Sequence, residues 1–159
     1  MEKVVSTYTT ANKVPVYRVS LVRERSHQTL VCVTEPADVG RIAAEFLHDA
    51  DREQFVVLLL NSRHRVIGLQ VASMGSLNES IVHPREVFKA AILAGCGAIV
   101  VAHNHPSGDT NPSSEDVAMT KRLGEAGRLL GIPLLDHVIV GENGEFRSLR
   151  ETLGSDWPM

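Results

Sequence analysis

"GAIVVAHNHPSGDTNPSSEDVAMTKRL", residues 97–123, passes from an apolar run through a turn-rich segment into a polar stretch with helical spacing. The run at 98–102 is short and wholly apolar, which fits a strand buried on both faces. "PSGDTNP" (106–112) has the Pro, Gly, Asn and Asp of a loop. Beyond Ser113, the residues Val117, Met119 or Thr120, Leu123, Ala126 and Leu130 recur at helical spacing as far as Gly131, so a helix follows. Strand, loop and helix in that order form the building unit of a layered α/β fold. Two histidines stand where the strand ends.

Toward the N-terminus, "HPREVFKAAILAG" (83–95) predicts a helix with Pro84 in its first turn and Gly95 near its end. "EQFVVLLLNSRHRVIGLQVAS" (53–73) predicts an adjacent strand pair, the first strand buried on both faces, with "GSLNES" (75–80) as a turn. Thr34 is placed to cap a helix starting near Pro36, whose apolar face is Val39, Ile42, Ala43 and Phe46. Further upstream, "VPVYRVSLVRE" (14–24) and "QTLVCVTE" (28–35) predict one or two strands in an N-terminal arm over 1–35, ahead of the main domain at 36–159. On the other side, "IPLLDHVIVGENGEFRSLR" (132–150) predicts a strand, an Asn-Gly turn and a second short strand. Alternating helices and strands predict an α/β class with a mixed sheet.

Bulk properties exclude several classes. The chain has 159 residues, enough to bury a core, and a formal net charge of −3, so it lacks the global basic field of a nonspecific nucleic-acid binder. Cys32 and Cys96 lie far apart in apolar runs and read as small core residues, with no disulfide framework. The N-terminus has no signal-peptide pattern and the apolar runs are too short to span a bilayer, so a cytoplasmic protein without a membrane partner is expected.

Side chains at i and i+2 of a strand share a face, roughly 6.5 to 7 Å apart along the backbone. His103 and His105 therefore aim at one point, and Asn104 faces away. Two imidazoles supply half of a tetrahedral zinc centre, and a third protein ligand plus water complete the catalytic version. Asp116, in the first turn of the returning helix, is the favoured third ligand, with Asp109 and Glu115 as rivals. Ser113-x-x-Asp116 reads equally as a capping box, and an acidic residue in a first helical turn needs no metal to explain it.

"HNHPSGDTNPSSED" also fits His-x-His-Pro, six residues, Ser-x-x-Asp, and so resembles the JAMM/MPN metalloproteases. The longer stretch "HPREVFKAAILAGCGAIVVAHNHPSGDTNPSSEDVAMTKRL" resembles the RadC branch, and the likeness covers roughly residues 36 to 150. The resemblance implies an MPN/JAB-type mixed sheet flanked by helices, with cytidine-deaminase-like layering. It implies one zinc ion held by His103, His105 and Asp116, and an oxyanion role for Ser113. It also implies a glutamate, just before a buried strand, that activates the attacking water. Glu53 matches that position; Glu45, Glu79 and Glu86 are the other candidates, Glu79 following the hairpin.

The implied activity is cleavage of a peptide or isopeptide bond in a peptide or protein substrate. The alternative is a DNA-repair-associated accessory or binding protein without peptidase activity. The acidic charge and the short segment ahead of the domain, with no room for a helix-hairpin-helix region, weigh against nucleic acid as a partner. A noncatalytic MPN-like module typically lacks motif residues that this chain keeps, and the His-x-Glu and Pro-Cys-x-x-Cys of zinc deaminases are not found here. An exposed edge strand near the N-terminus makes a homodimer a further expectation. His83 is read as a structural hydrogen bonder, one of Asp136 and His137 as a support to the metal site, and His27, His48 and His64 as solvated. Trp157 is read as docking on the body or on a second subunit.

Overall fold

The computed structural model describes residues 15–26, 32–75 and 82–158. The order is α1 (Pro36–Leu47), β1 (Gln54–Leu60), β2 (Val66–Met74), α2 (Pro84–Ala94), β3 (Ala98–Asn104), α3 (Ser114–Leu130), β4 (Leu134–Val140), β5 (Phe146–Ser148) and α4 (Leu149–Leu153). The five strands form one mixed sheet in the order β2-β1-β3-β4-β5. β3 and β4 run parallel; the other neighbours are antiparallel.

Period-2 alternation divides the core into two layers. Phe55, Val57, Leu59, Ile99, Val101 and Ile139 pack under α2, α3 and the C-terminal turn, while Val56, Leu58, Val100, Ala102, Val138 and Val140 pack under α1. β1 is therefore buried on both faces, as its unbroken apolar run predicts. β3 ends and the antiparallel β1 begins at the site, with Phe55 of β1 paired to His103 of β3.

Several expectations need correction. Residues 15–26 form no strand; Val16 and Tyr17 are 97% and 82% exposed, because β-rich alternation makes a strand only where a ladder partner exists. Of the second proposed strand, 28–35, the described part makes a single bridge, Cys32 to Arg65; its residues 28–31 lie outside the described residues, as do His27 and the arm before residue 15. Cys32 is exposed, because Val33 takes the inward position beside it; Cys96 is buried as expected. Thr34 does not cap α1. Its backbone N and hydroxyl donate to Asp38 Oδ2, both at 2.8 Å, and the Glu35 N–H joins them at 3.2 Å, so Glu35 is the cap residue and Asp38 reaches back to it.

On α3, Leu130 is 45% exposed and the buried face is Thr120, Leu123, Gly124 and Gly127. Small residues face inward there because Pro158 and the Ile132 carbonyl lie where side chains would go. Trp157 is buried in the core of its own chain.

Candidate metal centre

The sheet brings His103 to the end of β3 on the α2/α3 face, where it is 1% exposed. Its ring stacks on Phe55, with centroids 5.9 Å apart and planes at 12°, which sets the plane of the imidazole. His105 lies one residue past the strand, yet its backbone N–H donates to the Val140 carbonyl at 3.2 Å, continuing the parallel ladder. The two rings converge, Nε2 to Nε2, at 3.0 Å.

Asp116 arrives from the first turn of α3. Its Oδ1 lies 3.2 Å from His103 Nε2 and its Oδ2 3.5 Å from His105 Nε2. The three side chains offer ligand atoms all within 4.8 Å of one another. The capping reading also holds, since Ser113 N–H and Oγ donate to Asp116 Oδ2 at 2.7 and 2.6 Å while Asp116 N–H donates to Ser113 Oγ at 3.1 Å. The cap aims the carboxylate, so that Oδ1 faces His103 and Oδ2, the oxygen held by Ser113, faces His105. The rivals are engaged elsewhere: the Asp109 carboxylate accepts from Asn111, and Glu115 accepts from Ser114.

The donor set suits a divalent cation. His105 Nδ1–H donates to the Asp109 carbonyl at 2.6 Å, which leaves the lone pair on Nε2, pointing at His103 Nε2. A lone pair so placed needs a proton or a cation opposite it. Two imidazole nitrogens and one carboxylate oxygen, with a fourth position open, fit zinc of the catalytic kind.

The electrostatics agree. Burial alone would push the Asp116 carboxyl up, but His103 and His105, when a proton sits on Nε2, and the Ser113 hydroxyl hold it well below the carboxylate range. Asp116 in turn raises His105 against the effect of burial, helped by the Asp109 carbonyl and by the charge of Glu53.

Glu53 is half-buried, directly before β1. Continuing the pairing of Phe55 with His103 by one step on the same face sets Glu53 across from His105. Asn104, facing away from the histidines as predicted, accepts from Gln54 N–H at 2.8 Å and donates to the Arg52 carbonyl at 3.1 Å, gripping the backbone on both sides of Glu53. Glu45 is exposed on α1, Glu86 pairs with Arg85 and Lys89, and Glu79 lies outside the described residues.

Sequence reasoning missed the grip of Asn104 and the part played by Thr120. His137, wholly buried, faces His103 with Nε2 2.8 Å from His103 Nδ1, and Thr120 Oγ1 lies 2.7 Å from His137 Nδ1. The signal for Thr120 was its spacing, one helical turn after Asp116. Asp136 is also buried, on the opposite sheet face, where it accepts from Ser148 Oγ and from the backbone N–H groups of His137 and Arg150. Burial raises the Asp136 carboxyl, against those hydrogen bonds. His83 caps α2, its Nδ1 accepting from Arg85 N–H at 3.2 Å, and His48 is exposed beside Asp49.

The loop over 106–112 is seated by glycines. A Cβ at Gly141 would collide with the Gly108 carbonyl and approach Thr110 Cγ2 to 2.8 Å, and Gly108 itself has φ +78.

The RadC-like JAB domain profile matches residues 33–154. The chain belongs to the RadC-like JAB family. The UPF0758 protein of Desulforamulus reducens is 49% identical over 123 residues, 77% of this chain and 54% of the relative. UPF0758 protein TTE0897 of Caldanaerobacter subterraneus subsp. tengcongensis is 53% identical over 119 residues, 75% and 51% of the two chains. UPF0758 protein SH1266 of Staphylococcus haemolyticus is 50% identical over 127 residues, 80% and 55%. The chain spans about half the length of these curated relatives. The RadC-like JAB domain accordingly has the mixed sheet expected from the sequence, with five strands among the described residues, and its three candidate ligands converge at one end of it. Among the described residues, no helix is long and apolar enough to cross a membrane.

Proposed function

We propose that this RadC-like JAB domain is a zinc-dependent hydrolase of the JAMM type that cleaves a peptide or isopeptide bond. The observation that carries this reading is the convergence of His103 Nε2, His105 Nε2 and the Asp116 carboxylate within 4.8 Å at the mouth of a rigid sheet. When bound, zinc supplies Lewis acidity, polarising a carbonyl and lowering the pKa of water toward about 7. Glu53, held by the Asn104 grip, takes the proton of the attacking water and delivers it to the leaving amine. Ser113, whose hydroxyl donates to Asp116 Oδ2 at rest, turns that one hydrogen to the developing oxyanion at the positive end of α3, a contribution commonly of ~3 kcal/mol. Phe55 walls the site on one side.

Metal content by elemental mass spectrometry, followed by a peptide-library screen of the zinc-loaded protein, tests the proposal. Near one zinc per chain is expected in the parent and little in a His103→Ala/His105→Ala protein. Glu53→Gln is expected to keep the metal and lose turnover; full activity in Glu53→Gln would remove Glu53 from the base role. The DNA-associated alternative is read in the same preparations, where a salt-sensitive shift of labelled DNA with no peptide turnover would favour it.

A further inference from the structure

His103 does not meet a carboxylate or a carbonyl behind the site, as metal-bound histidines usually do, but a second buried histidine. The direction of every bond in that chain follows from one hydroxyl proton. Thr120 Oγ1 lies 2.7 Å from the Asp116 carbonyl oxygen, which can only accept, so the hydroxyl proton points there. Thr120 Oγ1 must then accept at its other contact, 2.7 Å away, and His137 Nδ1 carries the hydrogen. A neutral ring with its hydrogen on Nδ1 has its lone pair on Nε2. At 2.8 Å that lone pair accepts from His103 Nδ1–H, which leaves the lone pair of His103 on Nε2, facing His105 and Asp116.

We infer that His137 and Thr120 are positioning residues that fix His103 as a ligand through Nε2, by a relay running from the Asp116 carbonyl through Thr120 and His137. The inference rests on the metal-site reading above. The relay closes on itself: it starts at the backbone of one candidate ligand and ends at the ring of another. Phe55 stands edge-on to His137 at 5.3 Å and stacked on His103 at 5.9 Å, so one aromatic side chain packs against both rings. Thr120 is 0% exposed, and water does not compete for the hydroxyl.

Nitrogen-15 NMR of the imidazole rings in the metal-free parent, at a pH where the rings are neutral, reads the tautomers directly. The expected result is hydrogen on Nδ1 of His137, His103 and His105. Hydrogen on Nε2 of His103 would overturn the inference, whether or not the protein hydrolyses anything. The second measurement is zinc affinity by competition with a chromogenic chelator, using Zn2+ alone. Thr120→Val keeps shape and removes the hydroxyl; it should weaken zinc about 10–100-fold, and Thr120→Ser should recover most of that loss. Thr120→Val with parental affinity and unchanged circular dichroism would sink the relay. If Thr120→Val fails to fold, the tautomers of the parent decide. A parent with the expected tautomers that takes up no zinc would count against the hydrolase reading and leave the relay standing.

Discussion

Asp116 has two jobs, helix cap and candidate ligand, and single substitutions separate them. Ser113→Ala removes the cap oxygen but no ligand, so it should cost about 1 kcal/mol of stability and leave zinc stoichiometry unchanged. Asp116→Asn keeps the shape and removes the charge, and should weaken zinc retention far more than Ser113→Ala does; equal metal content in the two would mean that Asp116 is a cap alone. The raised pKa of His105 sets a second expectation. Above that pKa the ring is neutral and its lone pair is free for metal; below it zinc must displace a proton. Zinc affinity should therefore fall as the medium is acidified through the raised His105 value, and calorimetry in buffers of different ionisation enthalpy should record proton release at that boundary. The convergence of the three candidate ligands was legible because strand alternation and helix capping both act within a few residues. Thr120 was not legible as a polar partner, because an inward threonine on a helix reads as core until its neighbour across the layer is known to be a histidine.

Helix starts and the central strand carry the element-scale predictions. Asp38 accepts from Thr34 and Glu35 at the start of α1 and bonds Arg41, and those hydrogen bonds, Thr34's first, lower its carboxyl to about 2 against burial. A depressed acid contributes stability that is complete above its unfolded pKa, about 3.9, and is lost as pH falls toward the folded value. The parent should thus lose stability on acidification more steeply than Asp38→Asn through that window, and superimposable acid-unfolding curves would remove Asp38 from the cap. In β1, Leu58→Ala should cost about 2–5 kcal/mol in denaturant unfolding, since Leu58 is 0% exposed between α1 and the sheet. β1 could be read from its composition because a strand covered on both faces has nothing but apolar positions. Residues 14–24 have an equally strand-like pattern, and residues 15–26 form none, because pairing depends on a neighbour that a local pattern does not contain. Leu130 misled for a related reason: helical spacing marks a stripe, but Gly124 and Gly127 mark the side that other backbone approaches.

Over the whole molecule, the candidate ligands join the end of β3 to the start of α3, while the relay joins both to β4. Zinc bound to the folded state alone stabilises it by about 2.7 kcal/mol at one hundred times its dissociation constant, roughly 5 to 10 °C in melting temperature for a chain of this size. A chelator should lower the melting temperature of the zinc-loaded parent by that amount and leave His103→Ala unmoved; an unmoved parent would mean that the folded site does not hold the ion. The layered architecture was legible from alternation of elements, whereas the sequence left Trp157 between its own body and a second subunit, because one aromatic residue in a polar tail carries no periodicity; the structure buries it in its own core. Gly141 has a practical consequence for anyone replacing the loop beside the candidate metal centre. The 106–112 loop is the natural segment to exchange, yet its underside rests against a position with no side chain, and Gly108 adopts a left-handed backbone there. Grafted loops must keep a glycine at 108 and the close approach to 141, so the variable surface narrows to the outward-facing residues of the loop.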